Sequence, residues 1–258
     1  MSRASPYTSI QPAGGSTGQP LSLEKRLAVV QKHVALRGKK VIDCGCGSGE
    51  YVLALRERNA DVWGIEYSAD KVAEFKRLNQ APDRVSVGDV ERIEFGDASF
   101  DVALLNEVLE HVSDDRQGLR EIHRILRPGG VLIVFSPNRL YPFEIHGVFL
   151  KGSTAMVPHY IPFIPYIPLA VGNKLFQYRA RNYWPYELRR RIAESGFKII
   201  HTDYIWQTFE NLSGSQPGWI RTLRPLLRKA SSIFEKVPAL RTFGVSQMIV
   251  AEKFSLRP

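Results

Sequence analysis

The chain has 258 residues, with 35 Lys+Arg against 26 Asp+Glu and a formal net charge of +9. Hydrophobic residues at 44% and charged residues at 24% exclude disorder or coiled coil as the main state, and the length allows one large or two small domains. Two cysteines, Cys44 and Cys46, separated by one residue, exclude a disulfide framework and a CxxC zinc site.

Residues 1–20 are rich in Ser, Gly, Pro and Gln and read as a flexible tail, without the apolar core of a signal peptide. Leu23, Leu27, Val30 and Val34 recur at helical spacing, which predicts a helix over 21–36. Strands are predicted at 40–43, 61–65, 84–87 and 100–105, with helices at 51–59, 69–79 and 115–126 between them. Arg127-Pro128-Gly129-Gly130 ends the last helix, and the wholly apolar 131–135 reads as a strand covered on both faces. After Pro137 the rhythm breaks for about 45 residues, an interruption long enough to carry function. It resumes with a helix at 187–195 and strands at 197–205 and 245–254.

This alternation predicts an α/β fold: a Rossmann-like, doubly wound, mostly parallel seven-stranded sheet in one domain over 21–258. Helical or irregular cap insertions are expected at about 138–185 and 207–244. Residues 1–139 hold 19 basic and 19 acidic residues, so the whole positive excess lies in 140–258, with 16 against 7. Such a local excess points to partners: an anionic membrane surface, a nucleic acid or an acidic substrate. The most apolar run, 156–172, carries Pro158, Pro162, Pro165 and Pro168 and cannot be a regular spanning helix. The cytoplasm is the expected compartment, with peripheral membrane attachment open.

The segment Val41-Ile42-Asp43-Cys44-Gly45-Cys46-Gly47-Ser48-Gly49 runs from a strand through three alternate glycines into a helix. Glycines let the backbone approach a ligand and take positive φ. Glu66, 21 residues beyond Gly45 at the end of the next strand, is placed to accept from two ribose hydroxyls. Dinucleotide sites carry GxGxxG, whereas here the spacing is GxGxG after Asp43, a carboxylate able to accept from an ammonium group. A tight turn with no ligand is the plain alternative.

Several segments together resemble the class I S-adenosylmethionine-dependent methyltransferases, in the small-molecule branch that includes ubiquinone-biosynthesis O-methyltransferases. VIDCGCGSGEY resembles the first motif, WGIEYS the second, GDVERIEF the third, FDVALLNEVLEHV the fourth and LRPGGVLIVFSPN the strand that closes the site. The match is close over 21–137 and loose over 183–205. The resemblance implies S-adenosylmethionine as cofactor. Asp43, Gly45, Cys46, Gly47 and Gly49 would seat its methionine part, Glu66 and Tyr67 the ribose, Asp89 and Val90 the adenine, and Asn106 would lie near the methyl.

A hydroxyl acceptor must also lose a proton, to a general base or with help from a metal. Glu107, Glu110 and His111 share one face of a helical turn, so they can hold a divalent ion such as Mg2+, as the resemblance to metal-assisted quinone O-methyltransferases implies; related proteins with a similar segment use it only to shape the pocket. His111 is also a candidate for proton transfer. His146, after the fifth strand, is the second candidate base, with a packing role as the plain alternative; His159 is a weaker one. The aromatic residues 140–185 look like a lid over a small lipophilic or aromatic acceptor. The stretch 219–241 reads as a basic amphipathic helix suited to a membrane surface or a partner. Nucleic-acid methylation and cofactor binding without catalysis are the rival readings. The first lacks an appended RNA-binding motif or a DPPY-type tetrapeptide.

Overall fold

The computed structural model describes residues 21–79, 81–209 and 218–254; the expected tail over 1–20 lies outside them. The first half alternates as the sequence does: α1 (Leu21–His33), β1 (Lys40–Cys44), α2 (Glu50–Glu57), β2 (Asp61–Glu66), α3 (Ala69–Leu78), β3 (Val85–Val87), β4 (Phe100–Asn106), α4 (Asp115–Ile125) and β5 (Leu126–Pro137). Caps fix the helix starts. The Ser68 side chain accepts from Lys71 N, and Asp114 Oδ1 accepts from Arg116 N and Gln117 N.

The second half holds β6 (Val148–Leu150), α5 (Leu169–Leu175), β7 (Phe176–Tyr178), α6 (Pro185–Glu194), β8 (Phe197–Ile205), α7 (Gly218–Lys236), α8 (Pro238–Arg241) and β9 (Ser246–Lys253). The main sheet has seven strands in the order β3-β2-β1-β4-β5-β9-β8. The first five run parallel, and β9 pairs antiparallel with both β5 and β8. Each strand sends alternate residues to opposite faces. Val41, Val102, Leu104, Ile133 and Val250 meet α1, α2 and α3 on one side, through Leu27, Val52 and Phe75 among others. Ile42, Ala103, Leu105, Leu132 and Ile249 meet Leu119 and Ile122 of α4 and Leu188 and Ile192 of α6 on the other. Each large side chain so buried stabilises the fold by about 1.5–3 kcal/mol, which makes these layers the rigid support for the loops above them.

Two elements depart from expectation. Strand β5 starts at Leu126, five residues earlier than its apolar run. Arg127 to Gly130 do not form a loop; Gly129, at φ 73°, and a register shift opposite Phe100 to Val102 fold them into an irregular first stretch of the strand. The segment after β5 is also less irregular than its prolines suggest, because β6 and β7 form a two-stranded ribbon paired through Phe149 and Gln177. Arg139 ties this region down: its side chain donates to Pro165 O and Ile167 O and lies 5.1 Å from the Trp184 ring centre. Among the described residues, no helix is long and apolar enough to cross a membrane.

Candidate active site

β1 has β2 on one side and β4 on the other, so the chain leaves it at a topological switch point, where open α/β sheets hold ligands. Gly45, Gly47 and Gly49 follow, all with φ between 56° and 80°. Their roles differ. A Cβ on Gly45 would lie 2.5 Å from Val108, and one on Gly49 would lie 2.3 Å from the Phe75 ring, whereas one on Gly47 meets nothing within 4 Å. Gly45 and Gly49 are therefore glycine for packing, and Gly47 faces open space. Cys46 is buried against Gly64, so its contribution is packing behind the turn, and burial pushes its thiol pKa up.

Asp43, at the end of β1, is buried, and its Oδ2 has no hydrogen-bond partner. Burial, then the charge of Glu66, raises its pKa to about 7. A buried carboxylate with an orphan oxygen is matched to a cationic ligand group. Glu66 ends β2 and folds back on the turn, accepting from Gly47 N at 2.9 Å and Ser68 N at 3.0 Å. Gly88 N donates to Glu66 O, which seats Asp89 and the buried Val90 beside the same strand end. The half-buried Asp89 accepts from Glu91 N, and Tyr67 projects into solvent.

Beyond β4 the chain does not form the expected helical turn. Glu107 takes φ 55°, a left-handed conformation rare for a residue with a side chain, and residues 107–113 form a bend and a turn before α4. This reversal changes the membership of the expected trio. Glu107 Oε1 accepts from Arg26 Nη2 at 2.6 Å and Ser246 Oγ at 2.7 Å. Arg26 also donates to Asn106 Oδ1. Glu110 instead is fully buried, and its side chain converges with His111 and His146: one ligand atom from each lies within 4.8 Å of the others. The geometry thus replaces Glu107 by His146 in the candidate cation set.

His146 Nε2 sits 3.8 Å from both Glu107 Oε2 and Glu110 Oε1, and all three atoms are buried without a hydrogen-bond partner. Burial alone would raise the Glu107 pKa, but Arg26, then His146, overcome it and hold this carboxylate ionised, well below its usual range. Burial, then the Glu107 charge, pushes the Glu110 pKa well above its usual range. The His111 ring lies 5.1 Å from that of His146; desolvation, then His146, lowers its pKa to about 4. A neutral His111 is a poor proton donor near neutrality and a good cation ligand. His159 is elsewhere, with Nδ1 against Glu144 O.

Sequence reasoning missed Arg26 and Ser246, which arrive from α1 and β9. Arg26 carried a signal: it stands between Leu23 and Leu27 on the apolar side of its helix, a charge where only a buried partner makes one tolerable. Ser246, 139 residues from Glu107, carried none.

Residues 42–134 match the family model described as "Methyltransferase domain". A demethylmenaquinone methyltransferase of Beutenbergia cavernae is 37% identical over 130 residues, 49% of this chain and 53% of its own. A ubiquinone biosynthesis O-methyltransferase of Pseudomonas aeruginosa is 36% identical over 131 residues, 47% of this chain and 56% of its own. The chain thus spans about half the length of the curated relatives it matches. An S-adenosylmethionine-dependent methyltransferase from Mesorhizobium loti superposes with a TM-score of 0.58 at 19% identity, over 89% of this chain and 99% of its own, which shows the shared fold. In its sheet order, its glycine turn and its matched residues 42–134, the chain carries a methyltransferase domain similar to those of the S-adenosylmethionine-dependent methyltransferases.

Proposed function

We propose that the chain transfers a methyl group from S-adenosylmethionine to an oxygen of a small, lipophilic, aromatic acceptor. The observation that carries this reading is the meeting, at one switch point, of an orphaned buried carboxylate on Asp43 with the buried Glu107–His146–Glu110 group. Asp43 is fitted to the cofactor's ammonium, Glu66 to its ribose, Asp89 and Val90 to its adenine, and Gly47 leaves room for its backbone-facing part. When bound, the cofactor supplies an electrophilic methyl on a sulfonium, so the chain need form no covalent bond to the substrate.

The residues of the chain then have two tasks. One is to align the acceptor, for which the aromatic cap is suited: Tyr141, Phe143, Tyr166 and Trp184 lie in ring contacts of 5.7–5.9 Å. The other is to take the hydroxyl proton. His146 Nε2 accepts it, and the ionised Glu107 stabilises the imidazolium that results. Arg26 and Ser246 position Glu107. Because Nε2 is sealed in this arrangement, the 142–147 loop moves aside as the acceptor enters. The similarity to a ubiquinone biosynthesis O-methyltransferase and a demethylmenaquinone methyltransferase supports a quinone-type acceptor.

Labelled methyl transfer to phenolic quinone precursors, to RNA and to neither separates the readings. Transfer to RNA alone, or none to any acceptor by a protein that binds the cofactor, would discard this one. His146→Gln should lower turnover by about 10²–10⁴-fold while cofactor affinity holds.

A second reading has its own observation. Glu110, His111 and His146 present a carboxylate and two imidazoles within 4.8 Å, a donor set that suits a divalent transition metal better than Mg2+. These three residues would hold the ion, which would supply Lewis-acid lowering of the acceptor's pKa in place of the base. Chelation decides: activity that survives exhaustive chelation leaves His146 as the base, and activity restored by added metal assigns the trio to a cation.

A further inference from the structure

Helix α7 meets the rest of the domain with its polar side and, at the border of that side, with Phe234, whose ring lies 5.2 Å from that of Trp206. Ser231 is buried and donates to Gln207 O at 2.8 Å, Arg228 Nε donates to Thr208 O at 2.8 Å, and Glu235 pairs with Lys25 of α1 at 2.9 Å. At about 100° per residue these three positions fall within a sector of roughly 60°. The opposite sector holds Leu223, Leu226 and Ile233, joined by Val237 as the helix ends. They are 41%, 63%, 51% and 38% exposed. The chain then turns through α8, where Leu240 and Phe243 are exposed as well. An amphipathic helix that only covered a domain would do the reverse, since every apolar group left in water forgoes its burial energy.

What covers this strip is indicated by charge. Residues 218–244 contain six Lys or Arg and a single acidic residue, Glu235, which is turned inward to Lys25. Arg241 is engaged by Asp203 at 2.6 Å, but Lys229 and Lys236 are exposed along one border of the apolar strip. A second copy of the chain would bring the same cations face to face. An anionic lipid surface presents the complementary sign together with an apolar interior, and α7 is not apolar enough to cross it.

We propose that α7 and the turn after it lie in the plane of an anionic bilayer, with Leu223, Leu226, Ile233 and Val237 below the headgroups and Lys229 and Lys236 at the phosphates. The inference stands apart from methyl transfer and can be tested without turnover. The full chain is floated with vesicles of phosphatidylcholine alone and with phosphatidylglycerol added, at low and high salt. Binding is expected only with phosphatidylglycerol and should fade at high salt. Leu226→Glu with Ile233→Glu should weaken it at least tenfold, and Lys229→Gln with Lys236→Gln by about 25-fold, as each cation near the surface counts about fivefold. Both variants alter exposed positions, and unchanged cofactor affinity and circular dichroism confirm that they fold. No binding of the wild type to anionic vesicles at low salt would overturn the proposal, as would undiminished binding by the Leu226/Ile233 variant. A dimer in sedimentation that the same variant breaks would give the face to a second copy and also overturn it.

Discussion

Asp43 shows how one side chain couples folding, pH and ligand. Its pKa is raised from 3.8 to about 7, so between those limits the folded chain holds a proton that the unfolded chain has released. The apoprotein therefore loses stability as pH rises through this window, by up to about 4 kcal/mol. Asp43→Asn should flatten that slope and raise the apoprotein's Tm above pH 7, as scanning calorimetry across the window would show. The ammonium of the cofactor favours the ionised form, so affinity should weaken below pH 7 and binding at pH 6 should release a proton, seen by calorimetry in buffers of different ionisation enthalpy. In Asp43→Asn both effects should vanish, with affinity at least tenfold weaker. That Asp43 lies near the end of β1, just before the glycine turn, was legible, because the glycine spacing and the preceding apolar strand announced it. That His146 takes the place of Glu107 beside Glu110 and His111 was not: spacing assumes a helix, and a single left-handed residue redirects a side chain without leaving a mark in composition.

The glycine turn is one element with two kinds of glycine. Gly45→Ala meets Val108 at 2.5 Å and a positive φ, and should destabilise the fold by about 2–4 kcal/mol in chemical denaturation. Gly47→Ala meets only the φ penalty, about 1 kcal/mol, yet places a methyl where the ligand approaches, so it should lose cofactor affinity out of proportion to stability. Equal losses in both variants would contradict the division. The sequence shows three glycines alike, since what distinguishes them is the neighbour supplied by a distant loop or helix, Val108 or Phe75. Strand positions were legible because the apolar runs are nearly continuous. The β6–β7 ribbon was not, because three-residue strands leave no period to read.

Across the whole molecule, the neutral half builds β1 to β5 with the glycine turn, and the basic half builds the β6–β7 ribbon, α5 to α8 and the last two strands of the sheet. Arg139 joins them, reaching from the end of β5 to Pro165 O, Ile167 O and the Trp184 ring. Arg139→Ala should leave cofactor affinity unchanged, raise KM for the acceptor severalfold and speed proteolysis within 140–185. A variant with equally slow cleavage would show that the clamp is dispensable. The sheet order carries a different consequence. Among the described residues β9 is the last strand in the chain, yet it lies inside the sheet between β5 and β8 and supplies Ser246 to Glu107. During vectorial synthesis β5 and β8 must wait with open edges until β9 emerges, and Glu107 waits with them for its Ser246 partner. A ribosome paused in the α7 region thus holds a chain that already displays a glycine turn while Glu107 still lacks Ser246, with two unpaired edges for a chaperone or an aggregate to find.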